Sequence, residues 1–145
     1  ARADHGEGRM YCRTLLPEDA VLTAVGGKDK AFWAAGKNWE LVTDGLTEEN
    51  LAMMGQWRVE VAPGAARKGD VFLHVIQVGD QGLTRMDEME LVREGDTCGV
   101  RVKTEGQVWE VTFNSDGVLG GRIRRTGARA VDRALATTVQ AQSGI

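Results

Sequence analysis

Residues 55–80 read GQWRVEVAPGAARKGDVFLHVIQVGD, two apolar strands around a break at Pro63 and Gly64. In the first, Trp57, Val59 and Val61 alternate with Arg58 and Glu60, the period of a strand with one wet face. The second, Val71 to Val78, is apolar on both faces apart from His74 and Gln77, which predicts a central strand covered on both sides. Working outward, short apolar stretches recur roughly every ten positions, the spacing of an all-β domain. Candidate strands cover 9–15, 20–25, 31–35, 56–62, 71–78, 87–92, 97–103, 108–114 and 120–125. Turn residues divide them, among them Gly26-Gly27-Lys28-Asp29, Gly95-Asp96 and Asp116-Gly117. Trp109, Val111 and Phe113 alternate with Glu110 and Thr112, so Trp57 and Trp109 are both expected in the core.

Two segments carry a different period. Leu46, Leu51, Ala52 and Met54, with Glu48 and Glu49 following Thr47, allow one short helical turn. In the tail from Ala128 to Val139, Val131, Leu135 and Val139 fall at a helical spacing, with a closing edge strand as the alternative. Many short strands and Gly-rich turns favour packed sheets or a barrel over an α/β arrangement. The expectation is an all-β antiparallel β-sandwich of two packed sheets, a single domain over 1–145 with residues 1–8 frayed.

Composition excludes several classes. A hydrophobic fraction of 42% with 27% charged residues is that of a folded chain rather than a disordered one. No apolar run approaches the roughly 20 residues that cross a bilayer, so no membrane partner is expected. A net charge of -3 is too small to steer strongly toward a polyanion. Arg122, Arg124, Arg125, Arg129 and Arg133 lack the aromatic platforms of single-strand binders, so they read as a solvated rim and no nucleic acid is expected. Cys12 and Cys98 allow either one disulfide or two buried thiols in facing strands. The chain begins at Ala1 without a signal-like segment, as a processed product or a piece of a longer protein would.

Few constellations suit catalysis. A histidine metal site would need His5 and His74 together with Asp70 or Asp80, and His5 falls in the segment expected to fray, so neither metal nor cofactor is expected. His74, alone in an apolar strand, reads as a core or sheet-face residue hydrogen-bonded to a neighbour. The serines, Ser115 in a turn and Ser143 near the end, form no nucleophile elbow. GDQG at 79–82 and GVLGG at 117–121 lead into strand or turn rather than a helix, so they do not cradle phosphate. Asp87, Glu88 and Glu90 are the densest carboxylates, with Glu88 and Glu90 on the face opposite Met89 and Leu91, as a charged outer face requires. An indole offers flat apolar surface to the CH face of a sugar ring, and Trp33 and Trp39 flank a turn at Gly36, Lys37 and Asn38 that would expose them.

The order of GEGRMYCRTLLPEDA, VGGKDKAFWAAGKNWEL, GQWRVEVAP and GDVFLHVIQVGD resembles the C-terminal β-sandwich region of heparinase II/III-type polysaccharide lyases, over about Gly8 to Gly127. The most specific pieces, RTLLPEDA at 13–20 and the WRVEVAP and DVFLHV pair, are structural strands. In that family, the resemblance implies, an α/α toroid carries much of the sugar cleft, the β region stacks on it, and a Tyr and a His act as acid and base in β-elimination at a uronic acid. No helical repeat precedes Arg9, so those roles are assigned neither to Tyr11 nor to His74, and no catalytic residue is named. The resemblance implies a secreted or periplasmic accessory domain whose partners are the catalytic domain of the same parent protein and a polysaccharide, uronate-containing in that family. Trp33, Trp39, Lys37 and Arg58 are the candidate carbohydrate-binding residues, with the arginines of 122–133 as further contacts, since a guanidinium fork can bond both oxygens of a carboxylate. The alternatives are a stand-alone carbohydrate-binding module and a small all-β enzyme using His74.

Overall fold

The computed structural model describes residues 1–41, 44–127 and 129–138. In chain order its elements are β1 (Arg2–His5), β2 (Gly8–Leu16), β3 (Val21–Gly26), β4 (Trp33–Ala34), β5 (Lys37–Asn38), α1 (Glu48–Met53), β6 (Trp57–Ala62), β7 (Leu73–Asp80), β8 (Glu88–Glu94), β9 (Thr97–Thr104), β10 (Gln107–Asn114), β11 (Gly121–Thr126) and β12 (Val131–Ala134). The fold is all-β and antiparallel, as the turn spacing predicts. Its contacts gather into two compact units, Ala1–Leu16 with the chain from Val71 onward, and Pro17–Asp70.

The first unit is the sandwich. One sheet has the order β1-β2-β7 and the other the order β12-β11-β10-β9-β8. Leu15 of β2, Met89 of β8 and Val100 of β9 are buried between them, with Leu73, Val75, Met86, Leu91 and Val102 packed around. Fully burying an aliphatic side chain of this size contributes about 1.5–3 kcal/mol. A bulge in β2 brings Leu15 in: Thr14 pairs with His74 and Leu16 with Leu73, so the extra residue is added between them and both leucines are buried. Arg9 and Tyr11 secure the following turn, Arg9 Nη1 donating to the carbonyls of Gln81 and Leu83 and the Tyr11 hydroxyl to that of Thr84.

Several expectations change here. Among the described residues β7 pairs with β2 alone and is an edge strand, not a central one. Leu73 and Val75 face the core, but Ile76 and Val78 are 59% and 71% exposed, so apolarity on both faces did not mean two covered faces. His74 lies on that exposed face, which excludes the core alternative and leaves the sheet-face one; its Nδ1 is 3.0 Å from Thr14 Oγ1. Residues 2–5, expected to fray, form β1 against β2. The tail is strand rather than helix, since Val131 pairs with Arg125 and Asp132 with Arg124; Ala128, Val139 and Ser143 lie outside the described residues. Both cysteines carry free thiols.

The second unit pairs β3 with β6 and β4 with β5. The short helix forms where Thr47 caps it: Thr47 Oγ1 accepts from the Asn50 amide and Asn50 Oδ1 from the Thr47 amide, a reciprocal box, with Glu48 and Glu49 in the first turn. Arg67 bonds Asp19 near one end of the unit and Asp70, at 2.8 Å, at the other.

Candidate functional site

The sequence-derived sugar residues all lie in the second unit. Trp33, Lys37 and Trp39 come together in the hairpin of β4 and β5, whose turn residues Ala35 and Gly36 both have positive φ, 50° and 81°, as a tight two-residue hairpin requires. The Trp39 backbone amide donates to the Phe32 carbonyl and its indole Nε1 to that of Ala34, at 3.2 and 3.1 Å, folding the ring back on the turn. Half of Trp39 remains exposed, at 50%, and Lys37 Nζ stands 3.5 Å from the ring centroid. Trp33 is half-buried, with Lys30 Nζ 5.5 Å from its ring. The Lys37 ammonium lies over one face of the half-exposed indole, so the hairpin joins a cation to aromatic surface, chemistry that suits a carboxylated sugar ring.

Arg58 is not part of this hairpin. It lies on β6 and pairs with Glu60 two residues along at 2.7 Å, and among the described residues no hydrogen bond or ion pair joins it to Lys37 or either tryptophan. Trp57, its neighbour, is the residue that sequence phase misplaces: it is 64% exposed rather than in the core. Among the described residues β6 has β3 as its only strand neighbour, and the indole covers Gly27, where an added Cβ would come within 2.7 Å of Trp57 Cζ2. A depression of about 330 Å³ beside that glycine is lined by Lys28, Asp29, Phe32, Leu51, Met54 and Gln56, among others. The glycine pair 26–27 was the available signal, but its pairing with residues 56–57 emerges only in the fold.

Trp109 differs from Trp57. It is half-buried on β10, and the Arg125 guanidinium lies 4.9 Å from its ring. On the opposite face of the same sheet, the strand register sets Glu90, Arg101, Glu110, Arg124 and Asp132 side by side across all five strands, alternating in charge. Arg101 Nη2 bonds Glu110 at 2.6 Å, Lys103 bonds Glu88 and Glu90 at 2.8 and 3.0 Å, and Arg122 grips Asp132 through two nitrogens. The Arg122 hydrogen bonds hold the Asp132 carboxyl below its usual pKa, and Lys103 does the same for Glu90. The expected charged outer face beside Met89 is therefore present, with its charges neutralised pairwise. Of the arginines proposed as further contacts, Arg122 and Arg124 belong to this array, whereas Arg125 turns to Trp109 and to the Arg129 carbonyl.

His74 and His5 lie on separate strands of the three-stranded sheet, and among the described residues no three His, Cys, Asp or Glu side chains converge as a metal site would need. Asp87 and Gln77 bond each other reciprocally, Gln77 Nε2 donating to the carboxylate and Gln77 Oε1 accepting from the Asp87 amide. No protein-family model matches the chain, and no curated protein matches it.

Proposed function

We propose that this chain is a noncatalytic accessory β-sandwich domain of a secreted, heparinase II/III-like polysaccharide lyase, packing on the catalytic helical domain of the same parent protein and contacting acidic glycan. The observation that carries the proposal is the outer face of β1, β2 and β7. Met10, Ile76 and Val78 are exposed there, Phe72 continues the patch just before β7, and from His74 to Val78 β7 holds no carboxylate, ammonium or guanidinium. Contiguous apolar surface on a folded protein marks a contact surface, and a strand apolar on both sides is what two covered faces require. A packing partner supplies the second cover. The Trp39 and Lys37 hairpin supports the glycan contact, and the same hairpin favours the alternative of a stand-alone carbohydrate-binding module.

Titrating the chain with alginate, heparan-type, ulvan-type and xylan polymers, while following the absorbance of unsaturated uronate, tests the proposal. Saturable binding of a uronate polymer, weakened by Trp39→Ala and without product, is expected. Unsaturated product would show catalysis by the chain alone and overturn it.

A further inference from the structure

At one end of the outer face of the five-stranded sheet lies a groove whose lining includes Gly120 and Gly121. Gly121 on β11 lies opposite Phe113 of β10. A Cβ on Gly121 would overlap the Thr112 carbonyl oxygen, so the two backbones approach where a side chain cannot fit. Gly120 and Gly121 have φ of 145° and 148°, open to glycine alone. The groove measures about 470 Å³, within the range of roughly 300–1,000 Å³ typical of small-ligand sites.

Its lining has a definite chemistry. Thr112 and Asn114 project into it from β10, half-buried, and among the described residues neither the Thr112 hydroxyl nor the Asn114 carboxamide has a hydrogen-bond partner. Arg122 uses Nε and Nη2 on Asp132, leaving Nη1 without a bond among the described residues. Ala134 and Leu135 add an aliphatic wall. Glu94 and Glu110 offset Arg122 and Arg124 in the lining, and Asp132 already neutralises Arg122, so the groove carries no surplus positive charge to draw an anion. A hydroxyl group, at once donor and acceptor, meets the open amide, hydroxyl and guanidinium without disturbing any ion pair.

We infer that this groove is a subsite for an uncharged, hydroxyl-bearing sugar ring, its hydroxyls bonded to Thr112, Asn114 and Arg122 and its CH face set on Ala134 and Leu135. The inference takes its ligand class from the glycan contact of the proposed function. It concerns a different surface, however, and a different sugar chemistry from the hairpin.

The test is an NMR titration of the whole chain with cellohexaose and xylohexaose, and separately with an oligouronate. Saturable shifts at Thr112, Asn114 and Arg122 with a neutral oligosaccharide are expected. Thr112→Val with Asn114→Ala should weaken that binding by roughly tenfold or more, as losing two hydrogen bonds predicts, while Lys68→Gln leaves it unchanged. Both substitutions lie on the open face, and an unchanged melting curve verifies the fold. No saturation with either neutral oligosaccharide, preference of the groove for the oligouronate, or binding lost in Trp39→Ala but kept in the double variant would each overturn the subsite. None of these results bears on uronate-polymer binding at the hairpin, which the polymer titration decides.

Discussion

On the outer face of β8 to β12, Glu90, Arg101, Glu110, Arg124 and Asp132 stand in one rung of alternating charge, whereas the outer face of β1, β2 and β7 sets Met10, Ile76 and Val78 against solvent with Thr14 and His74 as a bonded polar pair. The two faces flank one core and belong to one unit, so stability of that core does not explain the contrast. A charge-paired face is complete in water: its ions bond each other and their outer sides remain hydrated. An apolar face in water forgoes what burial would contribute, about 25 cal/mol per Å². The contrast is one of solvation: the charged face is satisfied in water, whereas the apolar one would gain from being covered.

The comparison rests first on the shared core. Met89→Ala, which leaves Glu88 and Glu90 in place above it, should destabilise by about 2–5 kcal/mol in chemical denaturation; a cost below about 1 kcal/mol would mean that the sheets do not close on Met89. Acid should then weaken the charged face, together with Asp4 of β1 and Asp19 of the second unit, whose carboxyls their arginine partners also hold below the usual range. Asp132 and Glu90 have lowered pKa values in the folded state, so they bind protons more readily when unfolded, and their stabilisation is complete above the unfolded values near pH 4. It is lost as pH falls through the lowered folded values, so melting temperatures measured from pH 7 to pH 2 should stay nearly level to about pH 5 and then drop. A decline beginning near pH 6 would point to groups outside this array. The smallest effect belongs to the apolar face: Ile76→Thr with Val78→Thr should change stability by no more than about 0.5 kcal/mol per site while reducing binding of a hydrophobic dye. A larger loss of stability would show that these side chains are already covered.

Much of the strand plan was legible because alternation and turn chemistry are local. Neighbour number is not local, which is why β7 read as central: Val75 and Ile76 look equally apolar in sequence, and only the fold separates the packed one from the exposed one. The tail misled for a related reason, since a spacing of four residues, as from Val131 to Leu135, fits both a helix face and two steps of a strand. Trp39 was legible as exposed from the adjoining Gly36, Lys37 and Asn38, whereas Trp57 shared the phase of Val59 and Val61 on a ribbon with no cover for it. The charge rung and the groove depend on register across five strands, which no single segment encodes.

β2 and β7 are antiparallel neighbours, with Leu16 opposite Leu73, and the whole second unit, Pro17–Asp70, is threaded between them. Topologically that unit is the connecting loop of one β-hairpin, grown large enough to carry strands and a helix of its own. Arg67, bonded to Asp19 and Asp70, draws its two ends toward each other like the neck of a purse. Each doubling of a loop's length adds only about 0.6 kcal/mol of closure entropy, so that insert can be lengthened, shortened or exchanged, altering what its hairpin displays, without rebuilding the sandwich sheets.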